Sequence, residues 1–142
     1  MSVVVWDGKT LAADRQSSNV GLREPTSKMR VENGVAAAWT GELDKGIALA
    51  DWYFSGADKE KWPKFQDTDK WARLIVADSR GVKVYETLPY PIPVIAKFAA
   101  WGSGRDFAYG AMEMGADARR AVEVAIVHSF ECGFGVEAYD LS

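Results

Sequence analysis

Histidine and cysteine, two side chains that often act in catalysis, occur once each in this chain. His128 and Cys132 lie four residues apart, so they would share one face of a helix. A cysteine beside a histidine base can serve as an activated nucleophile. Gly133 predicts that the helix ends there, however, and a small buried role for Cys132 is the alternative. A single histidine excludes a multi-histidine metal site, and neither a metal nor a cofactor is predicted.

Other polar residues at the amino end and near position 103 form a second set of candidates. Asp14 and Lys28 lie on separate predicted strands and could form a partly buried ion pair between them. Ser2 precedes the first strand, where a serine is most often only a processed amino terminus. The motif Gly102-Ser103-Gly104 is too short for a phosphate loop and predicts a turn with a helix N-cap.

The elements that must position these residues begin with hairpins. β-branched runs and turn signals predict pairing of 3–6 with 9–14, of 28–31 with 35–39, and of 74–77 with 82–85. A two-residue turn at Asp7-Gly8 would place Ser2 opposite Ala13 and Met1 opposite Asp14. The polar segment 15–25 is predicted to be a loop.

Helical spacing follows the hairpins. Apolar residues predict a helix over 42–54, whereas 55–69 should be a loop or a short irregular helix. Three prolines between 89 and 93 exclude a central strand. Two helices should fill 105–130, with Gly115 ending the first and Asp117 opening the second, before a strand over 136–141. The predicted core comprises Val4, Leu11, Ala37, Leu74, Val76, Ala111, Val122 and Ala125.

Composition places the chain among single globular domains. It has 142 residues, 48% of them hydrophobic and 26% charged, and we expect one domain over 1–142. The net charge of −3 with scattered basic residues disfavours a nucleic-acid partner. No apolar run is long enough for a membrane span, and the amino end lacks the basic region of a signal peptide. The lone cysteine favours a reducing, cytoplasmic location.

Several segments, taken in order, resemble the proteasome β-subunit family and its bacterial relative, the heat-shock-locus V peptidase. Each is a short motif, and the resemblance depends on their order along nearly the whole chain. The matching segments are Ser2 with the strand 3–6, Asp7-Gly8, Ala12-Ala13-Asp14, the basic-apolar run 28–31, the small-residue strand 37–41, Gly102-Ser103-Gly104, the helix start 107–111, and 121–125 continuing to Cys132-Gly133.

This resemblance implies an α+β fold, a four-layer αββα sandwich of two antiparallel sheets flanked by helices. It also implies an N-terminal-nucleophile hydrolase that uses its own terminal amine as the base. Ser2 would be the nucleophile, Lys28 would tune it, and Asp14 would orient Lys28. The N–H of Gly41 would stabilise the oxyanion, and Ser103 would support the amine.

The resemblance further implies a peptide or protein substrate, a homo-oligomer and a possible partner protein. Ser2 becomes terminal only if Met1 is removed, and Ser129 stands where the family tends to have an aspartate. The alternative is a catalytically silent proteasome-like fold that binds or assembles with a small molecule, peptide or protein. The aromatic segment from Trp52 to Trp71 could fill the core or form a contact surface.

Overall fold

The structure is a computed structural model that describes residues 2–19, 22–65 and 70–141. Within these ranges the chain forms eleven strands, three α-helices and one short 3₁₀ turn. The strands are β1 (Val4–Trp6), β2 (Thr10–Asp14), β3 (Gln16–Asn19), β4 (Leu22–Pro25), β5 (Met29–Glu32), β6 (Val35–Gly41), β7 (Ala72–Asp78), β8 (Gly81–Tyr85), β9 (Ile92–Val94), β10 (Ala99–Trp101) and β11 (Val136–Asp140). The helices are α1 (Leu43–Phe54), α2 (Arg105–Glu113) and α3 (Ala118–His128), and the 3₁₀ turn is Lys59–Lys61.

The strands form two main sheets in which every described ladder is antiparallel. One sheet has the order β10-β1-β2-β11, and the other has the order β5-β6-β7-β8-β9. A separate two-stranded ribbon joins β3 to β4. The predicted hairpins at 28–39 and 74–85 are therefore confirmed as β5–β6 and β7–β8.

Side-chain alternation along the strands divides the core into three layers of contact. Val4 and Trp6 of β1 point between the sheets, where they meet Ile75 of the second sheet. Val3 and Val5 point the other way, onto α2 and α3. Helix α1 covers the outer face of the second sheet through Leu49 and Trp52. These contacts give the four-layer αββα sandwich that the family resemblance implies.

The predicted core residues lie in these layers, with one difference. Seven of the eight are buried, and Ala111 is only partly buried against the α2–α3 side. Gly115 has φ of +103° directly after the helix cap at Met114, as predicted for a C′ glycine. Pro93 lies in β9 at the edge of its sheet, so the prolines are excluded from central strands as expected.

The segment 15–25 differs from its prediction. It is not a loop, because its described part forms the β3–β4 ribbon, with Gln16 opposite Pro25. Side chains of β4 are exposed, so burial imposes no alternation of apolar and polar residues that could have signalled a strand. In the segment 55–69, the described part holds the Lys59–Lys61 turn, and positions 66–69 lie outside the described residues.

The register of the first hairpin also differs from its prediction. Val4, rather than Ser2, lies opposite Ala13. The turn lies at Gly8-Lys9, one residue later than predicted, because the Asp7 N–H donates to the Thr10 carbonyl at 3.3 Å. The Asp7 carboxylate accepts hydrogen bonds from the backbone N–H groups of Lys9 and Thr10, at 3.0 and 2.8 Å. This register brings the backbone just after Ser2 alongside the end of β2. None of the helices in the described ranges is long and apolar enough to cross a membrane.

Candidate active site

Asp14 is the centre of a buried polar network at the end of β2. One carboxylate oxygen accepts hydrogen bonds from the backbone of Val3 and from Nζ of Lys28, at 3.0 and 2.8 Å. The other accepts from the backbone N–H groups of Gln16 and Gly133, at 3.2 and 3.1 Å. Four donors from four parts of the chain thus surround one fully buried carboxylate. The predicted ion pair with Lys28 is present, and it is buried rather than partly buried.

Lys28 lies directly before β5 and carries its charge into this protein interior. Its side chain is only 5% exposed. Burial lowers the pKa of the Lys28 ammonium below its ordinary value, while the Asp14 carboxylate acts in the opposite direction. A buried lysine with a lowered pKa and one carboxylate partner is typical of functional sites, although structural ion pairs share these properties.

Ser2 is held by the loop that contains Ser103. Its backbone nitrogen donates to the Ser103 hydroxyl at 3.1 Å, and its carbonyl accepts from the N–H of Gly104 at 3.1 Å. Gly102 has φ of +98°, and a Cβ there would clash with the Ser2 carbonyl. The Gly-Ser-Gly motif is therefore a turn before α2, as predicted. The N-cap residue is Gly104, so no side chain caps the helix, and the Ser103 hydroxyl instead contacts the amino end.

The Ser2 hydroxyl is buried and makes no hydrogen bond within the described part of the chain. The chemistry expected from the sequence needs Lys28 Nζ within reach of this oxygen, and that hydrogen bond is not formed. The ammonium is instead bonded to Asp14. In enzymes without substrate, such contacts are often long and tighten only in the bound complex. The state of Met1 lies outside the described residues.

Gly41 ends β6 beside Ser2. It has φ of +95°, and a Cβ would clash with the Trp71 carbonyl, so this position requires glycine. N–H groups alternate between the two sides of an antiparallel strand. Trp39 donates toward β5 and Glu42 donates toward β7. By this alternation, the Gly41 N–H points toward the β5 side of β6. It lies past Met29, the first residue of β5, where an oxyanion could accept its hydrogen bond.

A cavity of about 440 Å³ brings three of the predicted residues together. Its lining contains Ser2, Gly41 and Ser103, while Asp14 and Lys28 lie behind Ser2. A second cavity of about 400 Å³ meets the first at Gly41 and is lined in part by Lys28. An extended peptide could therefore lie across Ser2, with the residues before the scissile bond in one cavity and those after it in the other.

Three residues of the first cavity were not predicted from the sequence. Arg73 and Arg105 bring two positive charges to its wall, and Thr40 contributes a buried hydroxyl. Arg105 follows the Gly-Ser-Gly motif directly, so its position in the chain was a usable signal. Arg73 and Thr40 gave no such signal, because only the pairing of β6 with β7 places them opposite each other.

The sequence analysis also missed a carboxylate beside Ser103. Hydrogen bonding to the amino terminus and to Ser103 holds the pKa of the Glu131 carboxyl below its usual range. Glu131 lies two residues after Ser129, the position at which the expected family aspartate is absent. A carboxylate is therefore available near Ser103, from a neighbouring position.

Cys132 has the small buried role expected for it, and no cysteine-histidine pair is formed among the described residues. His128 stacks on Phe107, with ring centroids 5.6 Å apart. Cys132 is buried, and a Cβ on Gly104 would lie 2.8 Å from its sulfur. Burial and the Asp14 charge raise the pKa of the Cys132 thiol to about 11, so it is protonated and unreactive at neutral pH. Among the described residues, no group of three His, Cys, Asp or Glu side chains could hold a metal ion.

The aromatic segment divides between the two roles left open by the sequence. Trp52 packs edge-on against Trp62 and Tyr85, with ring centroids 4.7 and 5.1 Å apart. These rings fill the space between α1 and its sheet. Trp71, in contrast, is 45% exposed and lines the Ser2 cavity. Trp52 and the rings packed around it are therefore core, and Trp71 belongs to the site.

Comparison with solved structures identifies the fold. BPH from Thiobacillus denitrificans in complex with epoxomicin matches with a TM-score of 0.76 and 23% identity, covering 100% of both chains. A second structure of Thiobacillus denitrificans BPH matches with a TM-score of 0.75 and 24% identity, covering 100% of this chain and 99% of BPH. The eukaryotic HslV from Trypanosoma brucei matches with a TM-score of 0.69 and 20% identity, covering 97% of each chain.

Sequence comparison does not add to this result. No protein-family model matches the chain, and no curated protein matches its sequence. The likeness therefore lies in the arrangement of the whole chain, since the solved structures align with it almost from end to end. The chain has the four-layer fold of BPH and HslV, the fold that its resemblance to the proteasome β-subunit family predicts.

Proposed function

We propose that the chain is an N-terminal-nucleophile peptidase in which Ser2, after removal of Met1, attacks a peptide bond. The observation that carries this proposal is the convergence of the Asp14–Lys28 pair and of Ser103 on the two ends of Ser2, beside an open cavity. We place it in the cytoplasm, as a single domain over 1–142 that works within a homo-oligomer on peptide or protein substrates.

The first chemical step would form an ester. The Ser2 hydroxyl oxygen attacks the substrate carbonyl carbon while the free Ser2 amine accepts the hydroxyl proton. The Gly41 N–H stabilises the oxyanion, and the positive charge of Lys28 favours the developing alkoxide. The tetrahedral intermediate then breaks its carbon–nitrogen bond, and the departing amine takes the proton from the Ser2 ammonium.

The second step would restore the enzyme. Water enters the place of the departed amine and loses a proton to the Ser2 amine as it attacks the ester carbonyl. Collapse of this intermediate releases the carboxylic acid and returns the proton to the Ser2 oxygen. Ser103 accepts a hydrogen bond from the Ser2 nitrogen at 3.1 Å, a position from which it can orient the amine in both steps.

The decisive test is the amino terminus. Intact-mass spectrometry of the purified protein measures whether Met1 is removed. A methionine that remains keeps the Ser2 nitrogen in an amide bond, and an amide cannot act as the base. The proposal requires hydrolysis of internally quenched peptides by the Met1-free protein and none by a form that retains an extension before Ser2. Activity that is equal in both forms would contradict it.

Epoxomicin provides a second test, because a solved structure of BPH contains it. We expect the Met1-free protein to gain the mass of one epoxomicin molecule, and we expect Ser2→Ala to remain unmodified. Unmodified wild-type protein at saturating epoxomicin would argue against a reactive Ser2, provided that absence of Met1 has been verified in the same spectrum.

The second candidate function is a silent binding or assembly module. Two observations favour it: the Ser2 hydroxyl makes no hydrogen bond to Lys28, and the four bonds to Asp14 would stabilise the fold without any chemistry. Under this alternative, Lys28→Ala would lower the melting temperature of a protein that never hydrolysed peptides. The same substitution in a peptidase would remove activity as well.

Oligomer formation is supported by exposed apolar residues at and just beyond the carboxyl ends of α2 and α3. Met114, Val127 and Phe130 are 88%, 72% and 86% exposed, respectively, and large exposed apolar residues favour contact with another chain. Light scattering at micromolar concentration should therefore give a mass above the 15.6 kDa of one chain. A single species of that mass would remove this part of the proposal.

A further inference from the structure

We infer that the cavity facing Ser2 selects peptides that carry an aspartate or glutamate in one of the two residues flanking the scissile bond. Selection depends on the residues that line the cavity, and its effect on peptide cleavage rests on the proposed function. The ligand chemistry is a carboxylate, and its expected partners are Arg73, Arg105 and the Thr40 hydroxyl.

The charge of the cavity wall is the first support. Both charged residues among those that line the cavity are arginines. They approach from different layers, since Arg73 lies on β7 and Arg105 is the first residue of α2. The second cavity differs, because Glu42 and Asp44 accompany its lysines. Of these two cavities, the one at Ser2 thus presents unmixed positive charge along its described lining.

Both guanidinium groups are held in place by contacts that leave donors unused. Arg73 bonds to Glu86 through Nε at 3.0 Å and lies over the Trp71 ring, 5.4 Å from its centre. Arg105 bonds to the Gly102 carbonyl through one terminal nitrogen at 3.1 Å. A guanidinium has five N–H groups, so each side chain can also pair with a carboxylate. The Glu86 carboxylate offsets part of the Arg73 charge, but Glu86 is not among the residues that line the cavity.

Thr40 supplies the second, independent support. Its side chain is 1% exposed, and its hydroxyl has no hydrogen-bond partner in the described ranges. Thr40 also lies directly opposite Arg73 in the β6–β7 ladder, and opposed residues share one face of a sheet. Buried hydroxyls are usually bonded, so an unbonded one in a cavity wall indicates a ligand that completes it.

The test compares matched peptides. Internally quenched substrates, identical except for Glu or Gln at each flanking position in turn, are incubated with the Met1-free protein. We expect Glu to raise kcat/KM over Gln by about tenfold at one of the two positions. The double substitution Arg73→Gln and Arg105→Gln should reduce that ratio to about one, and about 0.5 M salt should lower it in the wild type.

Arg80→Gln serves as the matched control, because Arg80 is an exposed arginine in the β7–β8 turn, away from the cavity lining. It should keep the wild-type preference. An unchanged preference in the double Arg73 and Arg105 variant, or equal rates for Glu and Gln at both positions, would overturn the inference while leaving the peptidase proposal intact.

A binding measurement keeps the inference testable if no peptide is cleaved. Fluorescence polarisation with labelled Glu and Gln peptides on the Ser2→Ala variant measures Kd without turnover. A lower Kd for Glu that is lost in the arginine double variant would support the inference even if the peptidase proposal failed. Equal Kd values for the two peptides would overturn it.

Discussion

The two sides of Ser2 differ in how their polar atoms are satisfied. Behind Ser2, both oxygens of Asp14 are bonded, and four donors share them. In front of it, the hydroxyls of Ser2 and Thr40 are buried in the cavity wall without a partner in the described structure. We call these the bonded side and the open side.

This difference has an energetic meaning. A buried polar group without a hydrogen bond costs about 1–3 kcal/mol of stability, whereas a bonded one adds roughly 0.5–1.5 kcal/mol. The bonded side therefore stabilises the fold and fixes the position of Ser2. The open side lowers stability and gains its missing bonds only when a ligand enters. Hydrogen bonding thus separates the groups that fix the position of Ser2 from the two hydroxyls in the cavity wall that are left without a partner in the described structure.

The largest effect should come from Ser2 itself, on the open side. Ser2→Ala should reduce peptide hydrolysis by at least about 10⁴-fold, because the nucleophile is removed. Its melting temperature should not fall, since the lost hydroxyl was unbonded. Alanine, like serine, is small enough to permit removal of Met1. Intact-mass spectrometry can therefore verify that both proteins lack Met1 before they are compared.

Ser79→Ala, in the exposed β7–β8 turn, is the control for that measurement and should change neither property. Thermal denaturation and peptide hydrolysis are followed on the same samples. A large drop in the stability of Ser2→Ala would break the comparison, because it would place Ser2 on the bonded side.

Removal of the Asp14 charge should give the largest effect on stability. Asp14→Asn leaves Lys28 buried without its ion-pair partner, and breaking a buried pair in this way costs about 3–5 kcal/mol. Chemical denaturation measures the change. Asp106→Asn, on the exposed first turn of α2, removes the same charge and should change the free energy of unfolding by less than about 1 kcal/mol. Equal losses in the two variants would contradict the role of the bonded side.

The pH dependence of activity should report the lowered pKa of Lys28. Hydrolysis needs a neutral terminal amine, whose ordinary pKa of about 7.7–8.0 sets the acid limb of the profile. It also needs charged Lys28, so activity should fall as pH rises through the Lys28 pKa. Burial lowers that pKa, and the alkaline limb should therefore lie below 10.5. A plateau that extends beyond 10.5 would show that the Lys28 charge is not required.

A pair of threonines should give the smallest effect and the sharpest comparison. Thr40→Val removes an unbonded hydroxyl, so the free energy of unfolding should stay constant or rise by up to about 1 kcal/mol. Thr10→Val removes a hydroxyl that donates to Asp140 at 2.6 Å, and it should lower that free energy by about 1 kcal/mol. Denaturation of both variants checks the signs, and equal losses would remove the distinction between them.

The sequence predicted most of the fold because its periodic signals agree with burial. The continuous apolar run of β1 matches a strand buried on both faces, and the turn glycines lie where the chain reverses. The β3–β4 ribbon was missed because its exposed side chains carry no such pattern. The register of the first hairpin was wrong because the turn lies at Gly8-Lys9 rather than at Asp7-Gly8. Hydrogen bonds of Asp7 to Lys9 and Thr10 hold the turn there, and residue spacing does not encode that choice.

The candidate site was predicted in part. Ser2, Asp14, Lys28, Gly41 and Ser103 follow from motifs in the chain, and the structure brings them to one place; their roles in catalysis stay predictions. Arg73 and Thr40 could not be found in this way, since they lie 33 residues apart and become neighbours only through strand pairing. Glu131 was missed because it occupies a different position from the expected aspartate.

The sequence by itself determined which residue types are present, the order of most elements and the apolar patterns of the buried strands and helices. Local hydrogen-bonding and steric preferences are sufficient for these features, because each acts over a few residues. Only the tertiary structure decided which donors satisfy Asp14 and which hydroxyls remain unbonded. Those outcomes depend on contacts such as Gly133 to Asp14, 119 residues apart, whose formation is fixed when the layers pack together.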